Sequence, residues 1–152
     1  MDFITLLRTT AVEEAMSPHP LCVSPETNLR QILLLLQERR IGAVIVCRDD
    51  QVCGIFTERD FLSLVNADCS FDDPVEKFMV PDPVVLSTSA TLAEAIRGMS
   101  LGGYRHLPII DQDSHPIGML KVKNIVHFLV ERLSRTVCHA TPEVPLMGRE
   151  GA

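Results

Sequence analysis

The sequence carries one pattern twice, and this internal repeat limits the possible folds more than any other feature of the chain. The segment VEEAMSPHPLCV, which begins at Val12, matches VEKFMVPDPVVL, which begins at Val75 and so lies 63 residues later. Further on, Gly54 matches Gly118 at an offset of 64 residues, because the second copy contains one inserted residue. The repeat therefore covers almost everything between Val12 and about Leu133.

Both copies predict the same order of elements, β-α-β-β-α. Short strands, LCV and VVL, come before the first helices, and Asp49-Asp50 and the segment DQDSHP provide turns between paired strands. Ser24 followed by PETN, and STSAT in the second copy, offer N-capping side chains. The first helix repeats apolar residues at i, i+3, i+4 and i+7, the spacing of one buried helix face, at Leu29, Ile32, Leu33 and Leu36.

A unit of about 60 residues is small for an independent domain. We therefore expect the two copies to pack sheet to sheet around a shared core, with pseudo-two-fold symmetry. The predicted fold class is α/β (α+β). The chain divides into an N-terminal lead segment (1–11), repeat 1 (12–67), repeat 2 (72–134) and a flexible C-terminal tail (135–152).

Composition and charge restrict the class of function. The formal net charge of −6 argues against a general binder of nucleic acids or anionic membranes, which would carry a basic excess. No apolar run approaches the roughly 20 residues that span a bilayer, and the N-terminus lacks a signal-peptide cleavage site. The five cysteines form no CxxC pair and fit a reducing cytoplasm best. We expect a cytoplasmic protein whose partners are small ligands or other proteins.

The stretch GIFTERD, from Gly54 to Asp60, stands where a predicted strand turns into a predicted helix. Two interpretations are open from the residues alone. Thr57 can cap the helix while Asp60 complements its dipole. Alternatively, the hydroxyl and the carboxylate form half of a phosphate and ribose site, because helix starts favour phosphate and a carboxylate can accept from vicinal hydroxyls.

The whole tandem unit resembles the cystathionine-β-synthase (CBS) domain pair, also called a Bateman module. The matching pieces are AMSPHPLCVSPETNL, GAVIVCRDDQVCGIFTERDFL, FMVPDPVVLSTSATL and RHLPIIDQDSHPIGMLKVKNI. The resemblance implies a regulatory module that binds adenosine derivatives in clefts between the repeats and associates into two-fold discs. It also implies that Thr57 contacts phosphate and that Asp60 holds the ribose hydroxyls.

The second copy reads GMLKVKN, so Lys121 and Asn124 replace the hydroxyl and the carboxylate. In similar pairs each cleft joins one repeat's Asp to the middle strand of the other repeat, which implies that Asp60 faces Arg105 and His106. We therefore expect one principal site per chain. The predicted nucleotide-binding residues are Thr57, Arg59, Asp60, Tyr104, Arg105, His106, Pro108, Lys121 and Lys123.

Several of these residues also have plain structural interpretations. Arg105 can pair with Asp111 or Asp113 on the surface, and His106 can be a half-buried core residue. Lys121 and Lys123 can be solvated residues at a helix start, or they can reach across to the phosphates of a longer ligand. Tyr104 can flank an adenine ring or simply pack, and Pro108 is expected to shape the strand and the cleft wall.

No catalytic motif competes with the regulatory interpretation. The five histidines form no HxxxH pair, and neither a P-loop nor GxGxxG is present. We expect a non-enzyme that senses AMP, ADP or ATP, with Mg²⁺ possible beside polyphosphates, and that signals to a separate effector protein. A homodimer is expected, because the first helix is apolar on more than one face. The alternatives are a docking scaffold with vestigial sites, or a binder of S-adenosylmethionine or NADH.

Overall fold

The computed structural model describes residues 2–140. Within that range the chain forms five α-helices and eight β-strands, together with 3-10 turns at Val12–Glu14 and Val75–Lys77. The helices are α1 (Phe3–Thr9), α2 (Leu29–Arg39), α3 (Glu58–Leu64), α4 (Leu92–Gly102) and α5 (Val122–Ala140). The strands are β1 (Ser17–Pro18), β2 (Cys22–Val23), β3 (Ala43–Arg48), β4 (Gln51–Thr57), β5 (Val80–Pro81), β6 (Leu86–Ser87), β7 (His106–Ile110) and β8 (Pro116–Lys121).

The strands form two four-stranded sheets of equivalent order, β2-β3-β4-β5 and β6-β7-β8-β1. The central hairpins are antiparallel, with Ala43 opposite Thr57 in one sheet and His106 opposite Lys121 in the other. We call the first sheet with α2 and α3 the first lobe, and the second sheet with α1, α4 and α5 the second lobe. The fold class predicted from the repeat is confirmed.

The two repeats exchange their first strands. β1 precedes the first lobe in sequence but pairs with β8 of the second lobe, whereas β5 of the second repeat pairs with β4 of the first lobe. The nearby core residues are exchanged in the same way. Val12 is buried in the core of the second lobe and Val75 in the core of the first. The repeat unit in the sequence is therefore not the folded unit in space.

A third apolar layer joins the two sheets. Ala43 and Ile45 of β3 and Ile55 of β4 pack with Met119 of β8, and these four side chains are buried. The predicted packing of sheet against sheet is confirmed. The layer fixes how the hairpins of the two lobes face each other, and so it fixes the space left between their ends.

Gly54 and Gly118 occupy the same position in the two repeats, and the steric reason for a glycine is the same in both lobes. A Cβ atom at Gly54 would collide with the sulfur of Met79, and one at Gly118 would collide with the sulfur of Met16. Each methionine comes from the exchanged segment that leads into β5 or β1. The glycines thus let the exchanged segments lie close against their host sheets.

Both ends of the described chain are helical. The lead segment contains α1, capped by Asp2 through a bond of 2.7 Å from the Thr5 N–H and packed on α4. Helix α5 continues to Ala140, so the first residues of the predicted flexible tail are helical instead. No proline or glycine occurs between 122 and 141 to end the helix earlier, and Pro142 follows. The rest of the tail prediction, 141–152, lies outside the described residues.

Candidate functional site

A cavity of about 400 Å³ lies between the two lobes, where β4 ends and α3 begins. The β4–α3 corner forms one wall, and the segment from α4 into β7 forms the opposite wall. A third wall comes from β5 and the loop after it. The lining residues are Gly42, Ile55, Thr57, Glu58, Arg59, Asp60, Val80, Pro81, Asp82, Pro83, Val84, Gly102, Gly103, Tyr104, Arg105 and His106.

The corner itself is held by a reciprocal capping box between Thr57 and Asp60. The backbone N–H of Asp60 donates to the Thr57 hydroxyl at 3.3 Å. In return, the Thr57 N–H and the Thr57 hydroxyl each lie 2.9 Å from Oδ2 of Asp60. The structure therefore has the capping arrangement that the sequence offered as one interpretation. Both bonds fall on Oδ2, which leaves Oδ1 of this half-buried carboxylate for a donor in the cavity.

The opposite wall carries Tyr104, Arg105 and His106. Arg105 is exposed to the cavity and, among the described residues, makes no ion pair with Asp111 or Asp113. The pKa of half-buried His106 is lowered, first because burial disfavours the imidazolium and second because Lys121 is close. His106 is therefore a neutral group at pH 7 that offers one donor and one acceptor.

Gly42 keeps the floor of the cavity open. Its carbonyl accepts from the Glu58 N–H at 3.0 Å, which ties β3 to the start of α3. A Cβ atom at Gly42 would stand 3.5 Å from Nε2 of His106 and 3.7 Å from Cδ of Glu58, which are ordinary contact distances. Glu58 and His106 therefore approach each other from the two lobes, and only a residue without a side chain leaves the space between them empty.

Arg59 lies at the edge that the cavity shares with a neighbouring groove, and we call this edge the mouth. Its guanidinium donates to the carbonyl oxygen of Gly103 at 3.3 Å, across the two lobes. Beyond this bond lies a more open groove lined by Leu62 and Met99, with five further residues shared with the cavity, Glu58, Arg59, Gly103, Tyr104 and Arg105. The Arg59 side chain thus separates the cavity from the groove.

Six of the nine residues predicted as nucleotide-binding line this cavity: Thr57, Arg59, Asp60, Tyr104, Arg105 and His106. The other three do not. Pro108 is buried within β7. Lys121 pairs with His106 across the hairpin and acts on the cavity through its charge, while Lys123 is exposed on the first turn of α5.

Sequence reasoning missed Gly42, Glu58 and the third wall, Val80–Val84. The signal for the third wall was present, because VPDP occupies the same repeat position as SPHP, but the exchange of β5 into the first lobe could not be read from it. Asp82 in this wall has a left-handed backbone with φ of 45°, and its repeat counterpart His19 has φ of 55°. The turn is therefore common to both copies, whereas the carboxylate belongs to one.

The corresponding corner of the second repeat is occupied by protein side chains. Asn124 accepts from the Lys121 N–H at 2.9 Å, as Asp60 does from Thr57, and its amide donates to the Ser17 hydroxyl at 3.2 Å. The Asn124 amide is thus hydrogen-bonded to the exchanged strand β1. The asymmetry between the two copies extends from the sequence to the hydrogen bonds.

One cluster within the described residues has metal-ligand chemistry, at the turn between β7 and β8. Donor atoms of Asp111, Asp113 and His115 lie within 4.8 Å of one another. However, Oδ1 of Asp111 accepts from the N–H groups of Asp113 and His115, both at 2.9 Å, so it already closes the turn. None of the three residues lines the cavity.

Comparison with known proteins agrees with this architecture. The model of the CBS domain matches residues 12–67 and 75–131. The structure of CBSX2 in complex with AMP, a protein from Arabidopsis thaliana, is 25% identical and superposes with a TM-score of 0.72 over 80% of this chain and 97% of that chain. A CBS domain pair in complex with 5-methylthioadenosine and S-adenosyl-L-methionine shares the fold, with 14% identity and a TM-score of 0.75 over 82% and 98% of the two chains.

Among curated proteins, an uncharacterized 17.7 kDa protein of Acidianus ambivalens is 26% identical over 80% of this chain and 74% of its own length. The chain spans 21% of a CBS domain-containing protein of Arabidopsis thaliana, and 20% of an inosine-5'-monophosphate dehydrogenase of Thermoplasma acidophilum. No helix within the described residues combines the length and apolarity needed to cross a membrane. With two matched domains that cover most of its length, the chain belongs to the CBS-domain family.

Proposed function

We propose that this chain is a regulatory module that binds an adenine nucleotide in the cavity between its repeats and communicates occupancy to a separate protein. The observation that carries the proposal is the convergence of Thr57 and Asp60 from one lobe with Arg105 and His106 from the other on a single cavity. Such a convergence has no structural need, because Thr57 and Asp60 already satisfy each other within the capping box.

The chemistry of the two walls suits the parts of a nucleotide. Oδ1 of Asp60 is available to accept from ribose hydroxyls, and charge-assisted bonds of this kind are stronger than neutral ones. Arg105 provides a cation for a phosphate, and Tyr104 provides a ring face. Val80 and Val84 supply an apolar wall, and each is more than 40% exposed. The volume of about 400 Å³ falls within the range of ordinary small-molecule sites.

Occupancy is useful as a signal only if the ligand binds two arrangements of the protein with different affinity. The Arg59 bond to Gly103 is suited to this, because it joins the lobes directly over the mouth of the cavity. A ligand that displaces or reinforces that bond changes the relation between the lobes. The effector that responds to this change is a separate protein. We place the module in the cytoplasm, because the four described cysteines are free, as is typical of that compartment.

The proposal includes a homodimer formed through helices. On α5, four exposed apolar residues repeat at helical spacing along one face, Val122, Val126, Val130 and Leu133. A continuous apolar stripe of this kind marks an interaction surface. Sedimentation velocity tests it: Val126→Glu with Val130→Glu should convert a dimer to a monomer. A monomeric parent protein, or a double variant that stays dimeric, would contradict this part of the proposal.

Calorimetry with AMP, ADP, ATP, NADH and S-adenosylmethionine tests the binding function itself. The decisive variant is Gly42→Leu, because Gly42 has ordinary backbone angles and a longer side chain there fills the cavity without removing a polar group. We expect binding to the parent and loss of binding to Gly42→Leu at an unchanged fold, judged by circular dichroism. Absence of heat with all five ligands would favour the docking scaffold instead.

A further inference from the structure

The charges that line the cavity point to the kind of nucleotide it accepts. We infer that the cavity selects a nucleoside monophosphate over a triphosphate, and that Glu58 and Asp82 determine this selection. The inference rests on the proposed function and deepens it, since it names the ligand class of the same site.

Carboxylates outnumber the available cations in the lining. Three lining residues carry carboxylates, Glu58, Asp60 and Asp82, and two carry guanidiniums, Arg59 and Arg105. His106 adds no positive charge at pH 7, because burial and the nearby Lys121 lower its pKa. The lining residues therefore have an excess of one negative charge, and the ammonium of Lys121, which is close to His106 but outside the lining, only balances it. The site thus has no net positive charge to compensate each further phosphate group of the ligand.

The described lining offers few cations to a polyphosphate. Lys121 and Lys123 do not line the cavity. Arg59 donates to Gly103 at the mouth, which leaves Arg105 as the one guanidinium of the described lining without a protein acceptor. A single guanidinium matches the two oxygens of one phosphate in a bidentate manner. A second and a third phosphate would instead approach the carboxylates of the walls.

The two acidic determinants stand on different walls. Cδ of Glu58 lies 3.7 Å from the Cβ position of Gly42, close to His106 on the opposite side of the floor. Asp82 follows β5, where its N–H donates to the Cys53 carbonyl at 3.1 Å and holds the left-handed turn. Two of the three walls of the cavity therefore each carry one of these acids.

Calorimetry without Mg²⁺ at low ionic strength tests the inference with AMP and ATP as probes. We expect ATP to bind the parent protein at least about tenfold more weakly than AMP, which corresponds to about 1.4 kcal/mol. Glu58→Gln and Asp82→Asn should each reduce the ratio of the two dissociation constants by about threefold or more, because they remove repulsion that acts mainly on the longer anion. Glu76→Gln, an exposed acid paired with Arg48 away from the cavity, is the matched control and should leave the ratio unchanged.

The outcomes separate this inference from the proposed function. Equal or tighter binding of ATP, or a ratio that neither substitution changes, overturns the selection while the nucleotide site stands. Absence of binding for both nucleotides overturns the site and the selection together. A ratio that changes as much in Glu76→Gln as in Glu58→Gln assigns the effect to net charge and removes the two residues as determinants.

Discussion

Replacing Asp60 tests whether its carboxylate serves the ligand as well as the helix. Asp60 closes the first turn of α3 through two contacts of 2.9 Å to Oδ2. Asn124 closes the first turn of α5 through an equivalent bond of 2.9 Å, but its corner does not line the cavity. Asp60→Ala and Asn124→Ala therefore each remove a side chain that closes a first turn, and Asn124→Ala also removes a bond to Ser17. Only Asp60→Ala removes a group of the proposed site.

The magnitudes follow from the contacts. Each variant loses two hydrogen bonds, which cost about 1 kcal/mol each, so each should melt about 4–8 °C below the parent. A ligand at a hundredfold excess over its dissociation constant stabilises the parent by about 2.7 kcal/mol, which raises the melting temperature by about 5–11 °C. Bonds to a charged group contribute about 1.5–3 kcal/mol. If Asp60→Ala weakens binding about a hundredfold, the same ligand concentration leaves about 0.4 kcal/mol, or roughly 1 °C.

Differential scanning fluorimetry with and without AMP measures both effects on one instrument. We expect a full ligand shift in the parent and in Asn124→Ala, and an almost complete loss of the shift in Asp60→Ala. Asp60→Asn keeps an acceptor for the Thr57 N–H, as Asn124 does for Lys121, so it should lose the ligand shift with a smaller change in baseline stability. A ligand shift in Asp60→Ala equal to that of the parent would refute the ribose role.

Three further outcomes are expected. Gly54→Ala should lower the free energy of unfolding by about 1–3 kcal/mol in urea titrations, because its Cβ collides with Met79, and the loss should shrink when Met79→Ala is added. His106 has a pKa below the ordinary 6.5, so the unfolded chain takes the proton first and stability should fall as the pH drops from about 7 towards 5; His106→Asn should flatten this slope in thermal melts. Iodoacetamide followed by mass spectrometry should modify Cys22 before Cys47, because a hydrogen bond between their thiols lowers the pKa of the exposed Cys22 and raises that of Cys47.

The repeat made the central parts of the fold predictable. The long strands and the helices α2 and α3 recur in the second repeat at an offset of 63 or 64 residues. The corner from Gly54 to Asp60 follows directly from a strand that runs into a helix. Local periodicity positions the residues of such elements. The sequence could therefore predict that Thr57 and Asp60 lie together at this corner.

Other features depend on long-range pairing that no local pattern records. The exchanged strands β1 and β5 have two residues each, one of them a proline, which is too short for a period to appear. Asp82 enters the cavity only because β5 joins the first lobe. Lys121 was predicted to point at a ligand from its repeat position, yet it is its neighbour in the hairpin, His106, that lines the cavity.

The exchange of strands makes each half of the chain depend on the other. If the chain were cut between the repeats, one fragment would lose the strand that closes the edge at β4, and the other would lose the partner of β8. An open sheet edge pairs with complementary strands, so either fragment would be stable only when it paired with a second molecule. In the intact chain this pairing is intramolecular, and it does not require the two copies to be identical. One corner accordingly carries an acid at position 60 and the other an amide at position 124.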